Sequence, residues 1–369
     1  MRTKKEEISA EEKLYVASQW QLMWRKFVKH KLAIFGGGIL AIFYLVAIFC
    51  EFFSVYDPYK RYTKYIYCPP SRIHFFDEKG FHFRPFVYSI KRKINLETFR
   101  KTYTEDKVKK YPIYFFIHSD KYKLWNLFKM DVHLFGVREG GMFLFGTDIL
   151  GRDLFSRNLY AARISLSIGL IGVALSFVLG IILGGISGYY GGGADMIIQR
   201  IIEFLISIPT IPLWMALAAA LPADWSPIKA YFGITIILSV VGWCGLARVV
   251  RGKFLELREE DFAMAAKIAG ATQKRVIAKH LLPSFLSYLI VSLTLSIPGM
   301  ILGETSLSFL GLGLRPPVIS WGVLLKESQK VQTVALHPWL LIPGFFVIIT
   351  VLAFSFLGDG LRDAADPYK

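Results

Sequence analysis

Apolar residues in this chain fall into long, nearly uncharged blocks at 32–53, 165–189, 196–221, 231–249, 285–303 and 339–357. Each is close to the length a helix needs to cross the hydrocarbon core of a bilayer. The pattern predicts six spans. The first block carries no charge until Glu51. It is too long for the core of a cleavable leader, is preceded by a long segment of mixed charge, and lacks a small-x-small site, so it is expected to persist as a span. Residues 54–145 break the pattern. Aromatic residues alternate with basic ones in Phe81-His82-Phe83-Arg84-Pro85-Phe86, and a second cluster follows in Tyr111-Pro112-Ile113-Tyr114-Phe115-Phe116. Period-two alternation predicts short strands with one buried face. The expected organisation is therefore an N-terminal segment 1–31, a first span 32–53, an inserted packed domain 54–145, and a transmembrane domain 146–369 containing a polar loop 251–283.

Composition narrows the class. A mean hydropathy of +0.43 with 54% hydrophobic and 20% charged residues excludes disorder over most of the 369 residues. The net charge of +16 raises nucleic acid as a partner, and aromatic-basic surfaces do bind single strands. The topology argues against it. Arg25, Lys26, Lys29 and Lys31 precede the first span, and Arg248, Arg251, Lys253, Arg258, Lys267, Lys274, Arg275 and Lys279 lie between the fourth and fifth. Both segments belong in the cytoplasm, and six spans return the C-terminus there. The inserted domain then faces outward, away from nucleic acid. Residues 54–164 hold 21 Lys and Arg against 11 Asp and Glu, but segments of this length translocate largely regardless of charge.

Catalytic, metal and cofactor chemistry finds no foothold. Cys50, Cys68 and Cys244 are too scattered for a disulfide framework or a zinc site. There is no Gly-x-x-x-x-Gly-Lys-Ser/Thr loop and no His-Glu-x-x-His pair. Gly185-Ile186-Ser187-Gly188 resembles the serine motif of rhomboid intramembrane proteases, but His280 and His337 lie outside the membrane interior, where no base can reach that serine. Small residues at Gly180, Gly184, Gly185 and Gly188 account for it as a close-packing face.

The loop between spans four and five is the most informative stretch. Glu259, Glu260 and Asp261 suit a helix N-terminus, four alanines favour the helix, and Gly270 can end it in the left-handed conformation. Thr272 is placed to cap a second helix, and Pro283 marks a boundary before span five. The expected form is a helix-turn-helix elbow. Spacing alone leaves open whether it docks on protein or lies on lipid headgroups.

Ala265-Ala266-x-x-x-Gly270, with His280-Leu281-Leu282-Pro283 beyond it, resembles the EAA loop of binding-protein-dependent ABC importer permeases. More specific motifs are similar to those of the C-type permeases of dipeptide, oligopeptide and nickel importers. Before helix two these are Gly146, Thr147, Asp148, Gly151, Arg152, Asp153, Ser156 and Arg157, followed by Arg163-x-Ser165-Leu166. Farther on stand Leu307-Ser308-Phe309-Leu310-Gly311-Leu312-Gly313, Pro316-Pro317, Ser320-Trp321-Gly322 and Leu357-Gly358-Asp359-Gly360-Leu361-Arg362-Asp363. The resemblance covers about residues 20–55 and 143–369. The chain departs from it at Met264, where the motif usually has glutamate, and in the length of 58–143.

The resemblance implies an all-α polytopic protein of the bacterial cytoplasmic (inner) membrane with the six-helix type I permease fold, to which the alternating segment 54–145 adds a small extracytoplasmic insertion domain between helices 1 and 2. It implies half of a translocation pathway, completed by a second homologous permease. Two ABC ATPase subunits, which hold the ATP and Mg, and an extracytoplasmic substrate-binding protein would be the other partners. Coupling would fall to Phe262, Ala263, Met264, Ala265, Ala266, Gly270, Val276, His280, Leu281 and Pro283. Glu203 in span three and Glu304 at the end of span five are the ionisable residues expected to take pathway or interfacial roles, and Glu203 can instead pair with Arg200. The expected cargo is a di- or oligopeptide. Nickel chelates or oligosaccharides are the alternatives, and a non-transporting sensor is the competing class.

Overall fold

Among the described residues, five helices are long and apolar enough to cross a bilayer, and a bent pair of helices meets the same test when taken together. The computed structural model describes residues 19–78, 80–94, 101–222 and 224–366. Helix α1 (Gln19–Lys29) leads into α2 (Lys31–Ile48), the first span. After an inserted sheet come α3 (Leu154–Tyr190), α4 (Gly192–Ser207), α5 (Thr210–Ala219) and α6 (Pro227–Leu257). The elbow holds α7 (Asp261–Ile268) and α8 (Gln273–Val276); α9 (Leu286–Phe309), α10 (Trp321–Leu325) and α11 (Ile342–Ala365) complete the chain.

Two spans differ from expectation. Helix α3 begins at Leu154, well before the apolar block at 165. Arg157 and Arg163 interrupt the apolar run without ending the helix, because Asp148 and Glu51 lie beside their guanidinium groups. The third block is not one helix: α4 and α5 meet at 89° across Ile208–Pro209. Pro209 has no N–H to continue the α4 ladder, and Ile208 before it is extended, at φ −92° and ψ 128°.

Packing orders the ends. Ser239 donates to the Gly172 carbonyl at 3.0 Å. A Cβ on Gly184 would lie 2.5 Å from the Ala247 oxygen, and one on Gly188 2.6 Å from the Arg251 oxygen. Helices α3 and α6 therefore run parallel, so the bent pair between them must recross the membrane. Helix α9 runs antiparallel to α3, with Gly169 against Ile301 and Ser165 against Glu304. Gly36 meets Ala353 and Gly360 meets Ala33, which brings the foot of α2 to the end of α11. The elbow, Lys31 and Ala365 thus share one end of the bundle. Its core is built on residues such as Leu166, Ile168, Leu238, Ile301 and Trp321.

The inserted domain stands at the other end. It is an antiparallel meander in the order β1 (His74–Asp77), β2 (Gly80–Ile94), β3 (Lys101–Leu124) and β4 (Phe128–Val137). Strand β1 is short, but β2, β3 and β4 are long, and β3 reaches 24 residues because it serves two partners in succession. Its first half pairs with β2, from Ile94↔Lys101 to Phe86↔Pro112, and its second with β4, from Ile113↔Val137 to Leu124↔Phe128. Burial is concentrated at the base, where Val87 and Ile113 pack with Val55, Tyr56, Cys68, Met142 and Phe143.

Candidate functional site

The elbow is built from turn chemistry. Gly270 sits at φ +80°. Its N–H donates to the Lys267 carbonyl at 3.0 Å, while the Ala271 N–H donates to the Ala266 carbonyl at 3.0 Å. This pair of bonds is a Schellman C-cap. A Cβ on Gly270 would meet nothing within 4 Å, so backbone conformation alone demands glycine there. Thr272 occupies the N-cap position of α8, but its side chain makes no capping bond. Pro283 does not mark the boundary expected of it. The chain continues as a π turn Ile277–Leu281 and a helical turn Leu282–Ser284, and breaks at Phe285, with φ −123°.

The coupling residues named by the resemblance divide into two sets. Ala263, Val276 and Leu281 are fully buried against Val250, Phe254, Phe285 and Leu289, and Ala266 packs partly into the same cluster. These residues seat the elbow on α6 and α9. Met264, Ala265 and Ile268 lie on the opposite face at helical spacing, with Phe262 beside them, all exposed; Ile268 is 85% exposed. His280 is half-buried and Pro283 exposed. The elbow thus presents an apolar face outward from a rigid seat. Its base is tied by Arg251, whose guanidinium gives Asp195 two bonds of 2.6 Å, and by Arg258, which donates to the Gly188 and Tyr189 carbonyls. Ser187 donates to Asp195 at 2.5 Å and accepts from Gln199 at 3.2 Å, so it is held in the tie at the elbow's base.

At the opposite end the motif before helix two is a clamp. Thr147 receives the Cys68 N–H at 2.8 Å and donates to the Tyr65 carbonyl. Asp148 accepts from the Leu150 and Arg152 N–H groups at 2.8 and 2.9 Å and from Arg152 Nε at 2.6 Å. Gly146 and Gly151 take φ +75° and +72°. Asp153 caps α3 by accepting the Ser156 N–H at 2.8 Å, and burial pushes its carboxyl up to about 6. The Ser156 hydroxyl accepts from the Val55 and Tyr56 N–H groups, and Arg157 donates to the Pro58 carbonyl. Glu327, raised above its usual range by burial, reaches Arg152 at 3.6 Å. These residues hold the segment after span one onto the head of span two.

Glu304 is fully buried. One carboxylate oxygen accepts from Ser308 and Ser320, both at 2.7 Å, and the other accepts from Ser165 at 3.3 Å. It is a tie between α3, α9 and the approach to α10. Helix α9 ends within Leu307–Gly313 in a second Schellman cap, with the Gly311 N–H, at φ +82°, donating to the Ser308 carbonyl and the Leu312 N–H to the Leu307 carbonyl. Glu203 makes an exposed 3.0 Å pair with Arg200 on α4.

Sequence reasoning missed two features. Arg163 bonds both oxygens of buried Glu51 and also caps the end of span one through the Ala47 and Ile48 carbonyls. The signal was Glu51 itself, a charge at the edge of an apolar block. A cavity of about 450 Å³ opens between Tyr59, Tyr160, Arg163, Ser167, Tyr231 and Ile319. No sequence signal foretold it, since separate segments contribute.

A family model described as a binding-protein-dependent transport system inner membrane component matches residues 176–368. The chain belongs to this family. A second model, the N-terminal TM domain of oligopeptide transport permease C, matches residues 18–70, and the meander lies between the two. Among curated relatives, the dipeptide transport system permease protein DppC of Bacillus subtilis is 42% identical over 60% of this chain and 68% of its own length. The oligopeptide transport system permease protein OppC of Haemophilus influenzae is 42% identical over 62% and 71%. OppC of Bacillus subtilis is 39% identical over 60% and 71%. The C-terminal family match takes in the bent helix pair, the elbow, and Glu304 with its partners Ser308 and Ser320. This member of the inner-membrane transport components is a multi-pass permease with its elbow and its meander at opposite ends.

Proposed function

We propose that the chain is the permease subunit of an ATP-binding-cassette importer for di- or oligopeptides. It would form half of a pathway with a second homologous permease, above two ATPase subunits that bind ATP and Mg and below an extracytoplasmic binding protein. The observation that carries the coupling role is the elbow: an exposed apolar face on Met264, Ala265 and Ile268, seated by buried Ala263, Val276 and Leu281 on α6 and α9. A pull on this face is passed to two spans with little slack, because the seat is close-packed. Closure of the ATPases would bias the bundle between inward- and outward-open states. The peptide cargo is supported by the names of the relatives, and the basic segments Arg248–Lys279 and Arg25–Lys31 support a cytoplasmic elbow with the meander outside.

Two measurements test this. In a cysteine-free chain, single cysteines at Lys107 on the meander and Lys274 on the elbow are exposed sites. An impermeant reagent on intact cells should label the first alone; labelling only the second would invert the topology. Proteoliposomes holding the complete complex should accumulate labelled peptides when ATP is supplied. Uptake of nickel chelates or oligosaccharides instead would reassign the cargo, and failure to capture any ATPase would leave the sensor class.

A further inference from the structure

Trp125 occupies a turn position that its residue type disfavours. It opens the three-residue turn Trp125–Leu127 between β3 and β4, where Trp125 and Asn126 take φ +51° and +60°. Glycine or asparagine is usual there, and a bulky side chain is strained. Its contacts explain the choice. The indole N–H donates to the Ile48 carbonyl at 2.8 Å, and the ring packs on Phe49 at 5.5 Å between centroids. Ile48 is the last residue of α2. The 18 residues of that helix rise about 27 Å, close to the thickness of the hydrocarbon core. The hairpin tip is therefore held at the edge of the hydrocarbon.

At that level the tip exposes Leu127 and Phe128, at 74% and 58%. Beside them Lys123 stands directly opposite Lys129 in the strand register. Like charges so placed destabilise a hairpin, and neither lysine is paired with a carboxylate among the described residues. An anionic surface supplies the missing countercharge, and a tryptophan with flanking lysines is the composition that settles at a membrane interface.

We propose that the β3–β4 tip is a membrane-interface anchor, with Trp125, Leu127 and Phe128 in the headgroup–acyl boundary and Lys123 and Lys129 on anionic lipid phosphates. The anchor braces the meander against the bilayer at the outer end of span one. The proposal rests on α2 being a span. It depends neither on the cargo nor on which compartment the meander faces, so a failure of the transport reading leaves the depth measurement below unchanged.

The test places an environment-sensitive fluorophore at Leu127→Cys in the full chain, with the three buried native cysteines replaced. The vesicles contain phosphatidylethanolamine and phosphatidylglycerol, spin-labelled near either the carbonyl or the methyl end of the acyl chain. Emission should shift to the blue, and the shallow label should quench it several-fold more than the deep one. A probe at Val108→Cys should respond to aqueous iodide alone. Replacing phosphatidylglycerol with phosphatidylcholine, or making Lys123→Gln with Lys129→Gln, should weaken the lipid quenching. A Leu127 probe open to iodide and indifferent to lipid overturns the anchor. So does one shielded from both, which would place the second permease on the tip. If the cysteine-free chain does not fold, a photo-crosslinking amino acid at Leu127 in the otherwise unaltered protein decides. Lipid adducts support the anchor and adducts to another polypeptide refute it.

Discussion

Replacing Gly270 isolates backbone conformation from every other effect at the elbow. The residue sits at φ +80° and a Cβ there would touch nothing within 4 Å, so a substitution meets strain without collision. An L-residue in this region costs about 1–2 kcal/mol, and a β-branched one more. Opening the turn to escape that strain forfeits the two Schellman bonds, each worth about 0.5–1.5 kcal/mol net. Gly270→Val should therefore cost the docked elbow about 3 kcal/mol, roughly a hundredfold in the fraction that holds its shape. Gly270→Ala should cost less, and Gly270→Asn least, since asparagine tolerates positive φ. The assay is copurification of the ATPase with each variant, alongside substrate-stimulated ATP hydrolysis in liposomes. Capture and coupling should decline in the order Asn, Ala, Val, with membrane insertion unchanged. Normal coupling by Gly270→Val, or equal damage from Asn and Val, would refute the reasoning.

Three further outcomes follow from the geometry. Ala265→Trp, on the outward face, should block ATPase capture while leaving the permease's thermal midpoint unchanged; Ala266→Trp, half-buried in the elbow's own cluster, should lower that midpoint, so equal midpoints would show that the two faces are misassigned. Glu304→Ala deprives the Ser308 and Ser320 hydroxyls of their acceptor and should cost about 2–4 kcal/mol, whereas Glu304→Gln keeps an acceptor and should cost less; thermal unfolding in detergent ranks them. Asp153→Asn keeps the helix cap and removes a buried carboxyl whose folded value, about 6, lies above its unfolded one near 3.9. The wild type is then stabilised by protonation and loses stability as pH rises across that window, so the variant's advantage should grow from nothing at the acid end to on the order of 2–3 kcal/mol above pH 6, read from thermal midpoints across pH. A constant difference would contradict the assigned shift.

Apolar block length, basic loops and turn residues are local quantities, and what depends on them was legible from the chain alone. The apolar blocks, the elbow at 251–283 and the left-handed turn at Gly270 are of this kind, and Gly270 sits at φ +80°. The family motifs were also visible, but not what they do. Asp148, Asp153, Ser156 and Arg157 read as a signature before helix two; only the folded chain brings Ser156 to Tyr56 and Arg157 to Pro58, some hundred residues away in sequence. Glu304 read as a charge in a span until Ser165, from another helix, and Ser320, beyond the helix end, reached its carboxylate. Strand length in the meander was misjudged because β3 changes partner midway, which no alternation pattern records. The straight third span failed where Pro209 stood inside an apolar run, since hydropathy does not register a missing N–H. The physical division is between preferences a residue carries with it and hydrogen-bond partners that only closure of the bundle supplies. The tertiary structure decided which face of the elbow is seated, how span two extends past its own charges, and where the meander's tip meets the end of span one.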